Sequence, residues 1–222
     1  GRLESVIYRK LGSMIKNRKI TVGTKGGLTR PYGRQTLIHP NKLIRACEES
    51  LARSGLDALP LYQIHFLDSK LPLELYLSSA NRLLEQGKIQ RLGLCNIDLK
   101  QLRHAAKVAP IYSVQNQFNL WDQKDRRSGL IEFCAKNSIQ YQAYSPLGGG
   151  QFYDALSTHP KVIQMCEDFS VEYPSLVMAW LKKSKYPIFP ILGSTNIAHL
   201  RSSFLDPRHN DKISPRLSTL NA

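Results

Sequence analysis

Between Glu4 and Lys16, apolar residues recur at Val6, Ile7, Leu11 and Ile15, the spacing of one helix face. Residues 19–25 (KITVGTK) then read as a short strand closed by Gly26 and Gly27. A loop containing Gly and Pro runs to Pro40, and residues 41–51 place Leu43, Ile44, Cys47 and Leu51 along one side of a helix. The alternation then repeats. Strands are predicted over 61–65, 89–95, 111–115, 139–144 and 186–192. Between and after them lie helices over 73–86, from a cap at Asp98 through Leu99, Leu102 and Ala106, over 127–136, 162–169 and 175–181, and over 197–204. Gly87 is a natural helix stop, because glycine accepts positive φ. From Asp206 to the end at 222 the chain is polar and contains proline, so an irregular tail is expected.

Six strands, each followed by helical sequence, define an α/β class with a parallel sheet. Their cores are short and continuously apolar, as strands covered on both faces should be. An open doubly wound sheet and a barrel of alternating strands and helices both fit. No GxGxxG follows a strand and no GxxxxGK[ST] occurs, which weakens the nucleotide-binding open sheet.

The chain's 222 residues suffice for one good-sized core or two small ones. No run of 18 apolar residues exists, so a helical membrane span is not expected. Lys and Arg number 31 against 17 Asp and Glu, giving +14 and a pI near 9.8. That sign attracts an acidic substrate, an anionic surface or a nucleic acid. The chain offers nucleic acid charge but no paired RNP-type aromatics, no GXXG clamp and no finger spacing. Its four cysteines form no CxxC pair, which fits a reducing compartment, cytoplasmic or organellar. The six histidines show no ligand spacing and no HExxH, so no metal site is expected. The chain opens Gly-Arg-Leu-Glu, without an initiating Met or a signal peptide, and reads as a processed protein or a piece of a longer one.

Polar residues gather where strands end: Lys25, His65, Asn96, Gln115, Tyr144 and Ser145. Such ends form the functional rim of either architecture. Lys25 suits anchoring phosphate, forming a Schiff base or lowering a neighbour's pKa; the plain alternative is a surface lysine beside a turn. His65 can donate to a carbonyl oxygen or move a proton, or can be a satisfied core histidine. Asn96 and Gln115 carry the donor and acceptor needed to read another amide, or they cap loops. Tyr144 can stack on a flat heterocycle or line a core. The three glycines at 148–150 can present N–H groups to phosphate or form a flexible loop. Trp121 and Trp180 are read as packing residues.

Taken in order, TVGTKGG (21–27), LYQIHF (61–66), LLEQGKIQRLGLCN (83–96), YSVQNQFN (112–119), QAYSPLGGG (142–150) and ILGST (191–195) resemble the aldo-keto reductase family. The resemblance runs from residue 1 to 204 and implies a (β/α)8 barrel of TIM type, here lacking its first two strands, as a single incomplete domain over 1–222. It also implies reduction of an aldehyde or ketone with NADPH, or with NADH. By motif, the family's catalytic lysine and histidine fall on Lys25 and His65. Nicotinamide amide contacts fall on Asn96 and Gln115, with Cys95 where serine is usual, and the stacking ring on Tyr144. Ser145 and Leu147 fall at the pyrophosphate, and Gly193, Ser194 and Thr195 at the adenine end. The family's catalytic Asp and Tyr map upstream of Gly1. Leu192 replaces a proline, and Ser202-Ser203 stands where Glu-Asn commonly closes over adenine.

Three functions follow as expectations. One is a carbonyl reductase of small carbonyl substrates, inactive as this chain alone and completed by an N-terminal segment or another chain that covers the open barrel edge. Another is a catalytically dead structural subunit of a larger basic assembly, organellar or RNA-containing. A third is a cofactor sensor without turnover.

Overall fold

The computed structural model describes residues 2–17, 19–29, 36–194, 196–201 and 203. Thr195 and the tail at 206–222 lie outside the described residues. The chain forms two compact units, residues 1–114 and 115–222.

Unit 1 opens with α1 (Arg2–Lys16), β1 (Gly23–Gly26) and a small antiparallel pair, β2 (Leu28–Thr29) with β3 (Thr36–Leu37). A single 3₁₀ turn at Pro40–Lys42 leads into α2 (Leu43–Ser54), then β4 (Leu61–Ile64), α3 (Leu73–Glu85), β5 (Leu92–Cys95) and α4 (Leu99–Val108). Strand β6 (Ile111–Gln117) carries the chain into unit 2. There follow α5 (Lys124–Arg127), α6 (Leu130–Lys136), β7 (Gln140–Tyr144), α7 (Gly149–Ser157), α8 (Pro160–Phe169), α9 (Tyr173–Lys182), β8 (Phe189–Pro190) and α10 (Ile197–Arg201).

The main sheet has six parallel strands in the order β1-β4-β5-β6-β7-β8, so that chain order is spatial order. With helices between successive strands, this is a (β/α)8-type barrel short of two strands. The register sets the site: Lys25 lies opposite Gln63, and Gln63 opposite Gly93.

Local chemistry explains the helix ends. Asp98 accepts from the Gln101 N–H while the Gln101 side chain accepts from the Asp98 N–H, a reciprocal cap that starts α4. Gly55 ends α2 at φ 64°. Pro160 and Pro174 sit in the first turns of α8 and α9, where a missing N–H costs nothing. The core of unit 1 is built on Cys47, Leu59, Ile64, Leu77, Leu83, Leu92 and Leu94; that of unit 2 on Phe118, Leu130, Tyr141, Leu176, Val177 and Trp180.

Several expected boundaries move. The strand read over 19–25 begins only at Gly23, because the N–H groups of Lys19 and Ile20 turn back to the Met14 carbonyl and finish α1. The loop before Pro40 contains the β2–β3 pair. The strand read over 186–192 shrinks to two residues, since Pro187 and Pro190 cannot donate to a ladder. Trp180 packs as expected, stacked on Phe118 at 5.3 Å. Trp121 does not: it is 51% exposed and meets Phe152 edge-on.

Candidate active site

In unit 1, Lys25 and His65 line one open cleft of about 670 Å³, together with Glu4, Tyr8, Thr24 and Arg53. The strand ladder brings them there: the His65 N–H donates to the Gly26 carbonyl at 2.7 Å, one residue past Lys25. Burial alternates along β1, with Thr24 buried where Lys25 is exposed. Its hydroxyl donates to Glu4 Oε1 at 3.2 Å and lies 3.3 Å from Tyr8 Oη. Glu4 Oε2 accepts from Arg53 Nε at 2.6 Å. Four side chains from α1, β1 and α2 thus brace the strand that carries Lys25. Sequence reading missed this network, because its partners are separated by up to 49 positions.

Asn96 follows β5 at φ 56°, a left-handed position that Asn tolerates better than most residues. Its Nδ2 donates to the His65 carbonyl at 2.9 Å. The Cys95 thiol beside it is buried, and burial pushes its pKa up to about 12 against the opposing pull of Lys25. Gln63 Nε2 donates to Ser113 Oγ at 3.2 Å, adding amide and hydroxyl groups to the buried interior of the same unit.

In unit 2, Gln115 Nε2 donates to Gln142 Oε1, and Gln142 Nε2 to Gln140 Oε1, forming a ladder of carboxamides. Tyr144 is half-buried at the end of β7. Ser145 turns the chain at φ 50°, and its carbonyl accepts from the Gly148 N–H and from Asn119 Nδ2. The glycine run is not a flexible loop. Gly148 adopts φ 91° as the cap, and α7 starts at Gly149. A Cβ on Gly148 would press on the Phe152 backbone, so both conformation and space call for glycine there.

Leu147, Gly193 and Ser194 come together in a second cleft of about 750 Å³, with Gly149, Gly150 and Ser203. Glu172 and Tyr173, at the start of α9, also line it. A Cβ added at Gly150 or Gly193 would meet no atom within 4 Å, which leaves main chain open to a ligand. Tyr173 is 7% exposed, and its buried hydroxyl has no hydrogen-bond partner among the described residues. An unpaired buried hydroxyl is a costly group. Glu172 and Tyr173 were not singled out from sequence; the only signal was a polar residue just before a helix-initiating proline.

Asp125 and Tyr141 form a further acid–phenol pair, with Tyr141 Oη donating to Asp125 Oδ2 at 2.8 Å and Asn116 Nδ2 to the same oxygen at 2.7 Å. Both are buried in unit 2, with Tyr141 only 1% exposed, so this pair joins strands to helix and cannot reach a substrate. Burial raises both pKa values, that of Tyr141 strongly, with the Asp125 charge adding to it. Among the described residues, no cluster of His, Cys, Asp and Glu could hold a metal ion, and no helix is long and apolar enough to cross a membrane.

The Aldo/keto reductase family model matches residues 3–205. The chain belongs to that family. It is similar to the thermostable aldo-keto reductase Tm1743, solved with the inhibitor epalrestat, at 25% identity and a TM-score of 0.74, covering 96% of this chain and 77% of that one. It is also similar to a Klebsiella pneumoniae aldo/keto reductase solved with NADP and acetate, at 22% identity and a TM-score of 0.73, covering 95% and 74%. The Gluconobacter oxydans glycerol dehydrogenase AKR11B4 shares 19% identity at a TM-score of 0.74, with 97% and 77% covered. The family membership places the chain among oxidoreductases of the NAD(P)H-dependent kind.

Proposed function

We propose that the chain reduces an aldehyde or ketone to an alcohol at the cleft of unit 1, using a nicotinamide dinucleotide. The observation that carries this reading is the convergence of Lys25 and His65 on one cleft, two polar groups at consecutive strand ends where family residues of the same type act. The K. pneumoniae relative, solved with NADP, supports a cofactor of that class.

The cofactor, when bound, supplies a hydride to the carbonyl carbon. On this reading His65 orients and polarises the carbonyl oxygen, and the Lys25 ammonium favours the ionised form of a neighbouring acid. The acid itself is not among the residues assigned in this chain. The family resemblance assigns Asn96 in unit 1, and Gln115 in unit 2, to the nicotinamide carboxamide, and Tyr144 to stacking on the ring. Ser145 and Leu147 hold the pyrophosphate, with Gly193, Ser194 and Thr195 at the adenosine end.

The chain is tested first alone and then with an N-terminal extension bearing Asp and Tyr. Saturable nicotinamide fluorescence with the chain alone, and aldehyde-dependent loss of absorbance at the nicotinamide band only with the extension, are the expected results. With the extension in place, Lys25→Met and His65→Ala should each lower kcat/KM by about 100-fold. Unchanged rates in both variants would remove these assignments.

A second reading has its own support. Helix α1 shows Leu3, Val6, Leu11 and Met14 to solvent, spaced along one stripe, next to the edge strand β1. Edge strands and exposed apolar stripes invite a partner chain. In that case the protein is a structural subunit, and sedimentation should show self-association or partner binding that Leu3→Lys and Met14→Lys abolish.

A further inference from the structure

We propose that Gln142 is a positioning residue, which turns the Gln115 carboxamide so that its oxygen, and not its amine, meets the amide of the nicotinamide. This rests on the dinucleotide reading above and deepens it. Burial alternates along β7, which puts Gln140, Gln142 and Tyr144 on one half-buried face. On the neighbouring strand β6, Gln115 is 6% exposed and donates from Nε2 to Gln142 Oε1 at 2.9 Å. Gln142 in turn donates from Nε2 to Gln140 Oε1 at 2.8 Å. Three carboxamides are thus joined in a single sense, along the face that ends in Tyr144.

A primary amide has a donor end and an acceptor end of nearly the same shape, and half a turn about its last side-chain bond exchanges them. The groups around it decide which end points where. Gln142 presents an oxygen to Gln115, so the Gln115 amine is held there and its oxygen is directed elsewhere. Gln140 does the same for Gln142: by accepting from the Gln142 amine it leaves the Gln142 oxygen to Gln115. Turning Gln115 alone would set two oxygens against each other in a place largely shielded from water, where the mismatch is costly. The carboxamide of a nicotinamide suits this arrangement in kind, because its amine donates to an amide oxygen. Aliphatic side chains at 140 and 142 would fill the same half-buried face with no polar group to satisfy, so two glutamines there point to a polar task.

The test is calorimetric titration of the full chain with NADP and with its 3-acetylpyridine analogue, which carries a methyl in place of the carboxamide amine and has the same charge. Wild type, Gln142→Glu and Gln142→Met are compared, each checked for folding by circular dichroism. Wild type should bind NADP about tenfold more tightly than the analogue, the worth of one hydrogen bond. Gln142→Glu, which can only accept from Gln115, should keep that ratio. Gln142→Met, which frees Gln115 to turn, should cut it to about threefold or less. A merely structural role would weaken both ligands alike and leave the ratio untouched, so an unchanged ratio in Gln142→Met overturns the proposal. Should Gln142→Met not fold, Gln142→Lys takes its place: it can only donate, holds Gln115 the other way round, and should bring the ratio near one, and a ratio kept at the wild-type value overturns the proposal equally. Wild type that binds both ligands equally well overturns the positioning role while leaving the dinucleotide reading intact. Failure of both ligands to bind at millimolar concentration removes the dinucleotide reading and the positioning role with it.

Discussion

Asn96 donates from Nδ2 to the main-chain carbonyl of His65 at 2.9 Å, tying together the residues that follow β4 and β5. The bond holds the two polar strand ends in a fixed relation. Asn96→Ala removes it and leaves an alanine at φ 56°. The lost bond costs about 1 kcal/mol and the strained backbone about 1 more. Asn96→Gly relieves the backbone and should cost about 1 kcal/mol. Urea denaturation of the two variants measures both figures, and an Asn96→Ala variant as stable as wild type contradicts the account.

Glu4 links α1 to both β1 and α2, through Thr24 and Arg53. The pair with Arg53 is partly buried, at 32% and 16% side-chain exposure, so it is worth more than a surface pair and less than a fully buried one. Glu4→Ala leaves the Arg53 guanidinium and the Thr24 hydroxyl short of a partner, for a loss of about 2 kcal/mol. The double variant Glu4→Ala/Arg53→Ala should be more stable than the two single losses sum to, by about 1 kcal/mol. Strict additivity in a thermal or urea cycle would show that the pair carries no coupling.

The strand–helix repeat, the parallel sheet and the glycine-terminated helices were legible because short apolar runs, helical spacing and Gly or Pro punctuation are local signals. The same locality sets the limit. Residues 19–22 look like strand by composition, yet the Met14 carbonyl captures their first N–H groups. At 186–192 the apolar content reads as strand, whereas Pro187 and Pro190 cannot donate and the strand shortens to Phe189–Pro190, with the Ile191 N–H donating to the Ala143 carbonyl at 2.8 Å. Lys25 and His65 could be named because each sits at a strand end. The Glu4–Arg53 brace, the Gln115–Gln142–Gln140 ladder and the lone Tyr173 hydroxyl depend on pairing and burial, which no window of sequence contains.

Asp125 accepts two hydrogen bonds at Oδ2, yet burial outweighs them and raises its pKa above the ordinary 3.8. The folded state therefore binds a proton more tightly than the unfolded chain does. Its contribution to stability is fully present below pH 3.8 and declines as pH rises through the higher folded value. Asp125→Asn keeps an acceptor for Tyr141 and abolishes the titration. The stability of wild type relative to Asp125→Asn should thus fall between acid and neutral pH. A difference that grows toward neutral pH reverses the sign and refutes the argument. Asp125→Ala should instead cost about 2–4 kcal/mol at every pH, because the Tyr141 hydroxyl and the Asn116 amide both lose their acceptor.

The thiols predict an alkaline limit. Cys47, Cys95 and Cys134 are buried, and burial pushes each pKa from 9.0 to about 12. An acid whose folded pKa is raised stabilises the fold below its unfolded pKa and loses that contribution as pH rises toward the folded value. The window here runs from pH 9.0 to about 12. At one pH unit above the unfolded value each thiol withdraws about 1.4 kcal/mol, because unfolding frees it to ionise. Cys134→Ala would open a cavity, so Cys134→Ser and Cys47→Ser serve better: each lowers stability at neutral pH and flattens its decline above pH 9. Thiolate labelling gives an independent reading. At neutral pH, half-buried Cys166 should react first, with the other three protected until the chain unfolds. Rapid modification of Cys95 in the folded protein would mean that the strand end beside Lys25 is open to solvent, and the burial assigned to its thiol would then be wrong.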